Sequence, residues 1–160
     1  MWSGSLSRSE VFSSTDRGLS GFMVGLLHIA CTHPLLPGNP QNASSFDFPV
    51  LYEAVVGADA HSVMRGDEAV AADLVAAAHR LEQAGVAAIV GICGSFAHFH
   101  GVLTGAATIP VYASILMEAE FLVSALPKSQ KMLIVFVDIG SDTPKLRAAC
   151  GLRSHDRIKT

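Results

Sequence analysis

GVAAIVGICGSFAHFHG, residues 85–101, decides how this chain is read. Residues 86–92 are small or β-branched and apolar. The run is too short for an independent helix, and it suits a strand buried on both faces, as in a parallel sheet. It stops at Cys93-Gly94, a turn that a buried strand alone does not explain. The preceding stretch, DEAVAADLVAAAHRLEQA (67–84), carries Val70, Leu74, Ala77, Ala78 and Leu81 at helical spacing. Asp67 and Glu68 sit at its start, where the helix dipole favours negative charge, and Gly85 is a natural stop. A second helix is expected from about Ser95 to Leu103. Helix, strand, turn and helix thus succeed one another around Cys93.

The same alternation extends outward. FMVGLLHIA (22–30) and VLYEAVVG (50–57) read as strands. Between them lies a loop, CTHPLLPGNPQNASSFDFP (31–49), marked by four prolines, two asparagines and a serine pair. Downstream, IPVYA (109–113) reads as a strand and Ser114 as the cap of the helix ILMEAEFLVSAL. KMLIVFVDI (131–139) is a further strand. Asp142 or Ser141 can cap a helix with Pro144 in its first turn, continuing through KLRAAC to Gly151. LRSHDRIKT reads as the approach to another strand. Repeated strand and helix patterns predict an α/β protein with a mostly parallel sheet.

Composition excludes several function classes. Half of the 160 residues are apolar, 16% are charged, and the formal net charge is −3. That suits a packed core, and it lacks the basic footprint of a nucleic-acid binder. No apolar run has the length to cross a bilayer, and no Lys/Arg cluster suggests a membrane surface. Three widely spaced cysteines without a CxxC pair argue against a disulfide framework and against zinc. They favour a reducing compartment, and a cytoplasmic location is expected. Residues 1–20 are serine-rich and aperiodic, which predicts a disordered tail without the apolar core of a signal peptide.

In open α/β sheets, ligands bind beyond the carboxyl ends of the strands. Cys93 is at such an end and opens the expected helix, whose free N–H groups and dipole favour a thiolate. Gly94 lets a ligand approach the backbone. The plain alternative is a small buried hydrophobe. The other chemistry-bearing residues read more simply. Cys31 and His33 are loop residues. His98 and His100, two apart, point to different helix faces and are not expected to share a metal. Glu118 and Glu120 flank an apolar stripe. Asp138 ends a strand, facing a cleft or a turn. His28 is a core histidine with satisfied bonds, and Cys150 is structural.

Beyond these local readings, the chain resembles the aspartate/glutamate racemase superfamily. The resemblance rests on IVGICGSF (89–96), on the loop PGNPQNASSFDFPV (37–50), and on VVGADAHSVMRGDEAV and LEQAGVAAIV. It continues through IPVYASILMEAEFL and KMLIVFVDIGSDTPKLRAACG, so it covers residue 21 onward. It implies a flavodoxin-like lobe over 21–105 and part of a second, similar lobe over 106–160. It also implies cofactor-independent, metal-free chemistry on a small amino acid or carboxylate. One thiolate, here Cys93, removes the proton α to the carboxylate, and a second thiol serves the opposite face. Asn42 would contact the substrate carboxylate, with the backbone N–H groups of Gly94 and Ser95. Family members often carry Thr or Ser directly before this cysteine; here Ile92 stands there. The second thiol falls beyond the shortened chain, and Cys150, in KLRAACG, does not fill its place.

Three functions are expected on these grounds. The first is a racemase or related isomerase. The second is a non-catalytic remnant that binds a small anion or a partner chain, with pairing between copies favoured by an incomplete second lobe. The third is a cysteine hydrolase, which requires a histidine within reach of Cys93.

Overall fold

A computed structural model of the chain describes residues 21–30, 33–154 and 156–160. The tail assigned to 1–20, and Cys31, lie outside the described residues. The fold is α/β. Four parallel strands, β1 (Val24–His28), β2 (Val50–Ala54), β3 (Ala88–Gly91) and β4 (Val111–Tyr112), form one sheet in the order β2-β1-β3-β4. This is the flavodoxin-like order, with the connection reversing direction between β1 and β3. Register aligns Leu26 with Tyr52 and with Val90, and Val90 with Tyr112.

Between β2 and β3 the chain forms two helices, α1 (Ala60–Arg65) and α2 (Ala71–Ala84). The periodicity over 67–84 is borne out in α2, which buries Leu74, Ala77, Ala78 and Leu81. Its first turn differs: Asp67 caps a short 3-10 turn, Glu68–Val70, through Ala69 N–H, and the α-helix starts at Ala71. Gly85 ends α2 in the left-handed conformation, φ 89°, where its N–H reaches the Leu81 and Glu82 carbonyls. Helix α1 is too short for a periodic signal. Its boundaries are chemical: Asp59 accepts from Ser62 N–H at the start, and Gly66 closes the end.

Alternation along the strands gives the sheet two unlike faces. Leu27 and Ile89 point into a core shared with Val63, Leu74, Leu81, Phe96 and Leu103. Leu27, Leu74, Leu81 and Ile89 are fully buried there. The other face carries the row Tyr52, Leu26, Val90 and Tyr112, and Tyr112 is 60% exposed. The expectation that β3 is buried on both faces is therefore corrected: Ile89 and Gly91 are buried, while Ala88 and Val90 are half-buried. At Gly91 a Cβ would lie 2.1 Å from the Ala113 carbonyl oxygen, so only glycine lets the end of β3 lie this close to the segment after β4.

After Cys93 the chain winds as a 3-10 helix, Gly94–Phe99, before α3 (His100–Ala106). A single α-helix over 95–103 is not what forms. In a 3-10 helix, residues three apart eclipse. Here that places Phe96 and Phe99 together in the sheet's core, while Ala97 faces a second core. This second core gathers Ala119 and Val123 of α4 (Ala119–Ser124), Leu146 of α5 (Pro144–Ala149), Cys150, Leu152 and Ile158. Thr143, rather than Asp142 or Ser141, caps α5 through Leu146 N–H. Asp142 instead takes two bonds from Arg147 and one from the Thr160 hydroxyl, each 2.6 Å.

A separate parallel pair, β5 (Met132–Leu133) and β6 (Ile158–Lys159), completes the described elements. The strand expected over 131–139 is ordered as a ladder only at Met132–Leu133, because β6 offers just two paired residues. Val135 and Val137 beyond it are exposed. Residues 109–113, grouped by sequence with the second part of the chain, contribute β4 to the first sheet.

Candidate active site

The fold delivers Cys93 to the carboxyl end of β3, beside the point where strand order reverses. The ladder continues one residue past the strand through Ile92 N–H to Leu27 C=O, 3.0 Å, and then Cys93 occupies the N-cap position of the 3-10 helix with extended backbone, φ −121°. A cleft of about 430 Å³ opens there on the sheet's less covered face. Cys93 and Gly94 line it, with Val90 and Tyr112 from the sheet, and with Pro40 and Glu118. Pro40 is held in place by the Tyr52 hydroxyl, which donates to its carbonyl at 2.9 Å. Glu118 ends the 3-10 turn Ile115–Glu118, which Ser114 caps by accepting from Leu116 N–H at 3.1 Å.

Opposing forces act on the thiol. Burial disfavours its charged form and is the larger effect, so the Cys93 pKa is raised above the ordinary thiol value. The N–H groups of Ser95 and Phe96 and the Ser95 hydroxyl act the other way and favour the thiolate. Cys93 on its own therefore rests as the neutral thiol around neutral pH. Ser95 is nearly fully buried. In the sequence Ser95 reads only as a backbone donor; a buried hydroxyl that favours the thiolate becomes visible only once the 3-10 turn is known.

Of the backbone donors expected to hold an anion, Gly94 N–H opens the 3-10 helix and has no acceptor within it. Ser95 N–H favours the Cys93 thiolate, although the Cys93 side chain makes no cap hydrogen bond at the start of the 3-10 helix. Asn42 is engaged elsewhere. Its Oδ1 accepts from the Ser44 N–H at 2.9 Å and hydroxyl at 2.7 Å, and its Nδ2 donates to Leu35 C=O at 2.6 Å. Asn42 thus staples the loop that presents Pro40, and it does not line the cleft.

The remaining candidates separate from this site. Cys150 is the C-cap of α5, buried in the second core, and burial pushes its thiol up to about 11. His28, half-buried at the end of β1, contacts Gln41 Nε2 and the Ile29 carbonyl, each at 3.3 Å. His98 packs against Gly66, and burial and Lys145 lower its pKa. Neither ring nitrogen of His98 has a hydrogen-bond partner. Among the described residues no histidine takes part in the hydrogen bonding of Cys93, and no three His, Cys, Asp or Glu side chains cluster to hold a metal ion. Asp138 lies beside a different, smaller cavity with His61 and Arg65. Glu120 holds the C-terminal segment by accepting from Arg153 N–H, from Ser154 N–H at 2.7 Å and from the Ser154 hydroxyl at 2.8 Å. No helix of the described residues is long and apolar enough to cross a membrane.

No family model matches the chain, and no solved structure matches it. Dimethylsulfoniopropionate lyase 5 of Emiliania huxleyi (strain CCMP1516) is 24% identical over 149 residues, which cover 91% of this chain and 29% of that protein. The chain therefore spans less than a third of that relative's length.

Proposed function

We propose that the chain carries the proton-abstracting half of a cofactor-independent enzyme acting on a small carboxylate, in the manner of a racemase or isomerase. One observation carries the reading: Cys93 lines a cleft at the strand-order reversal, at the N-cap of the 3-10 helix, beside a Gly94 N–H that has no acceptor within that helix. In this reaction the thiol first loses its proton to solvent. The thiolate then takes the α-proton; the C–H bond breaks, an S–H bond forms, and the electron pair passes into the carboxylate as an enolate. Gly94 N–H meets the developing oxyanion. A proton from solvent then reaches the opposite face and inverts the centre, and Cys93 releases the abstracted proton to solvent.

The similarity to a lyase favours a second reading of the same first step. The enolate pair can instead expel a group from the β-carbon, forming a C=C bond and releasing the leaving group with its electrons. Dimethylsulfoniopropionate is itself a small carboxylate with a sulfonium group that can leave as a neutral sulfide. The two outcomes share proton removal by Cys93 and differ in the fate of the enolate. A binding remnant without turnover remains the contrasting proposal.

The test is product analysis on a panel of amino acids and β-sulfonio and β-ammonio carboxylates, with wild type beside Cys93→Ala. Inverted amino acid from the wild type alone supports the racemase reading; an unsaturated acid plus sulfide or amine supports the lyase reading. A folded wild type with no product beyond the Cys93→Ala background overturns both and leaves the remnant.

A further inference from the structure

The charge inventory of the Cys93 cleft is lopsided. Glu118 lines it, and among the described residues no lysine, arginine or histidine does. Glu118 is half-buried, and among the described residues no ion pair engages its carboxylate. The Tyr112 ring stands in the same cleft, 60% exposed, from the sheet's open face. A carboxylate and an aromatic ring in one mostly apolar cleft are the two groups that attract an organic cation: the first by charge, the second by its ring quadrupole. The same pair repels a second anionic group. A dicarboxylate would bring one carboxylate to Gly94 N–H and leave the other without a cationic partner, desolvated beside Glu118.

We propose that Glu118 and Tyr112 form a cation-binding corner that selects, for the Cys93 site, carboxylates bearing an onium group, ammonium or sulfonium, over dicarboxylates. The inference rests on the reading of Cys93 as the reacting group and deepens it, because it assigns two further lining residues and the substrate class. A bound cation also places positive charge near Cys93, and so favours the thiolate that burial opposes. Substrate of the right charge would then help create its own base.

The experiment measures occupancy rather than turnover, so it separates this inference from the catalytic reading. Methyl methanethiosulfonate modification of Cys93 is followed by peptide mass spectrometry, with the Tyr112 ring resonances as a second readout. The probes are tetramethylammonium, trimethylsulfonium, propionate and succinate. Either cation should move the Tyr112 resonances and change the Cys93 modification rate at concentrations where succinate does neither. The preferred cation tells ammonium from sulfonium. Glu118→Gln should raise the concentration needed by about fivefold, Tyr112→Leu by a few-fold, and both should leave propionate unchanged or stronger. Succinate acting as well as the cations, no cation acting on either readout, or an unchanged cation response in Glu118→Gln would overturn the proposal. Cation binding without product formation would leave the corner standing and remove the catalytic reading.

Discussion

Replacing Ser95 by alanine removes the hydroxyl that favours the Cys93 thiolate and keeps the backbone N–H groups that act the same way. Ser95 is nearly fully buried, so no water can take the hydroxyl's place without a cavity, and alanine leaves too little room for one. A hydrogen bond to a charged partner contributes about 1.5 kcal/mol at the low end of the usual range. That is close to a factor of ten in an equilibrium. The thiolate therefore loses about tenfold in population at any pH below its ionisation. The assay is the pseudo-first-order rate of Cys93 modification against pH, resolved by peptide mass from Cys31 and Cys150. The Ser95→Ala profile should shift to higher pH, with rates about tenfold lower on the rising limb. The two variants should converge where both thiols are ionised. An unchanged profile, or a shift to lower pH, would refute the claim that the hydroxyl supports the thiolate.

Two further outcomes rest on the packing. Gly91→Ala forces a Cβ into the Ala113 carbonyl, which is backbone and cannot swing aside. The variant should lose about 1–3 kcal/mol in denaturant unfolding and should disturb Cys93 modification as well, because Gly91 positions the strand end that bears Cys93. Cys150 is buried and its thiol is pushed up to about 11. The unfolded chain ionises this thiol nearer pH 8.5, so this contribution to stability is complete below that pH and is lost as pH rises towards about 11. The wild type should therefore show a steeper fall in unfolding free energy between pH 9 and 11 than Cys150→Ala, and parallel slopes would contradict the burial argument.

The features that the sequence disclosed and those it withheld divide along physical lines. The helix over 71–84 announced itself because Leu74, Ala77, Ala78 and Leu81 recur at one period and a glycine ends it. The strand before Cys93 announced itself through β-branched content and an abrupt Cys-Gly stop. Helix α1 left no such trace, since six residues hold less than two turns, and only its Asp59 cap and Gly66 stop marked it. The winding of Gly94–Phe99 was illegible because helix type there is settled by Phe96 and Phe99 lining up in one core while Ala97 serves another. Strand pairing was equally hidden: nothing local in IPVYA says that it joins β3 rather than β5. The site divided in the same way. Cys93 and Gly94 are legible from their place after a strand. The Ser95 hydroxyl and Glu118 become site residues only when a 3-10 turn and the Ser114-capped segment fold towards the same cleft. Asn42, singled out by resemblance, has its amide engaged within the loop.

The proposed role of Cys93 is removal of a proton from the carbon beside a carboxylate. Its most direct test is incubation in heavy water with amino acids and with β-onium carboxylates, reading deuterium at the α-carbon by NMR for wild type and Cys93→Ala. The wild type should incorporate deuterium, and Cys93→Ala should not. Equal incorporation by the two proteins, or none from a folded wild type across the panel, would contradict it.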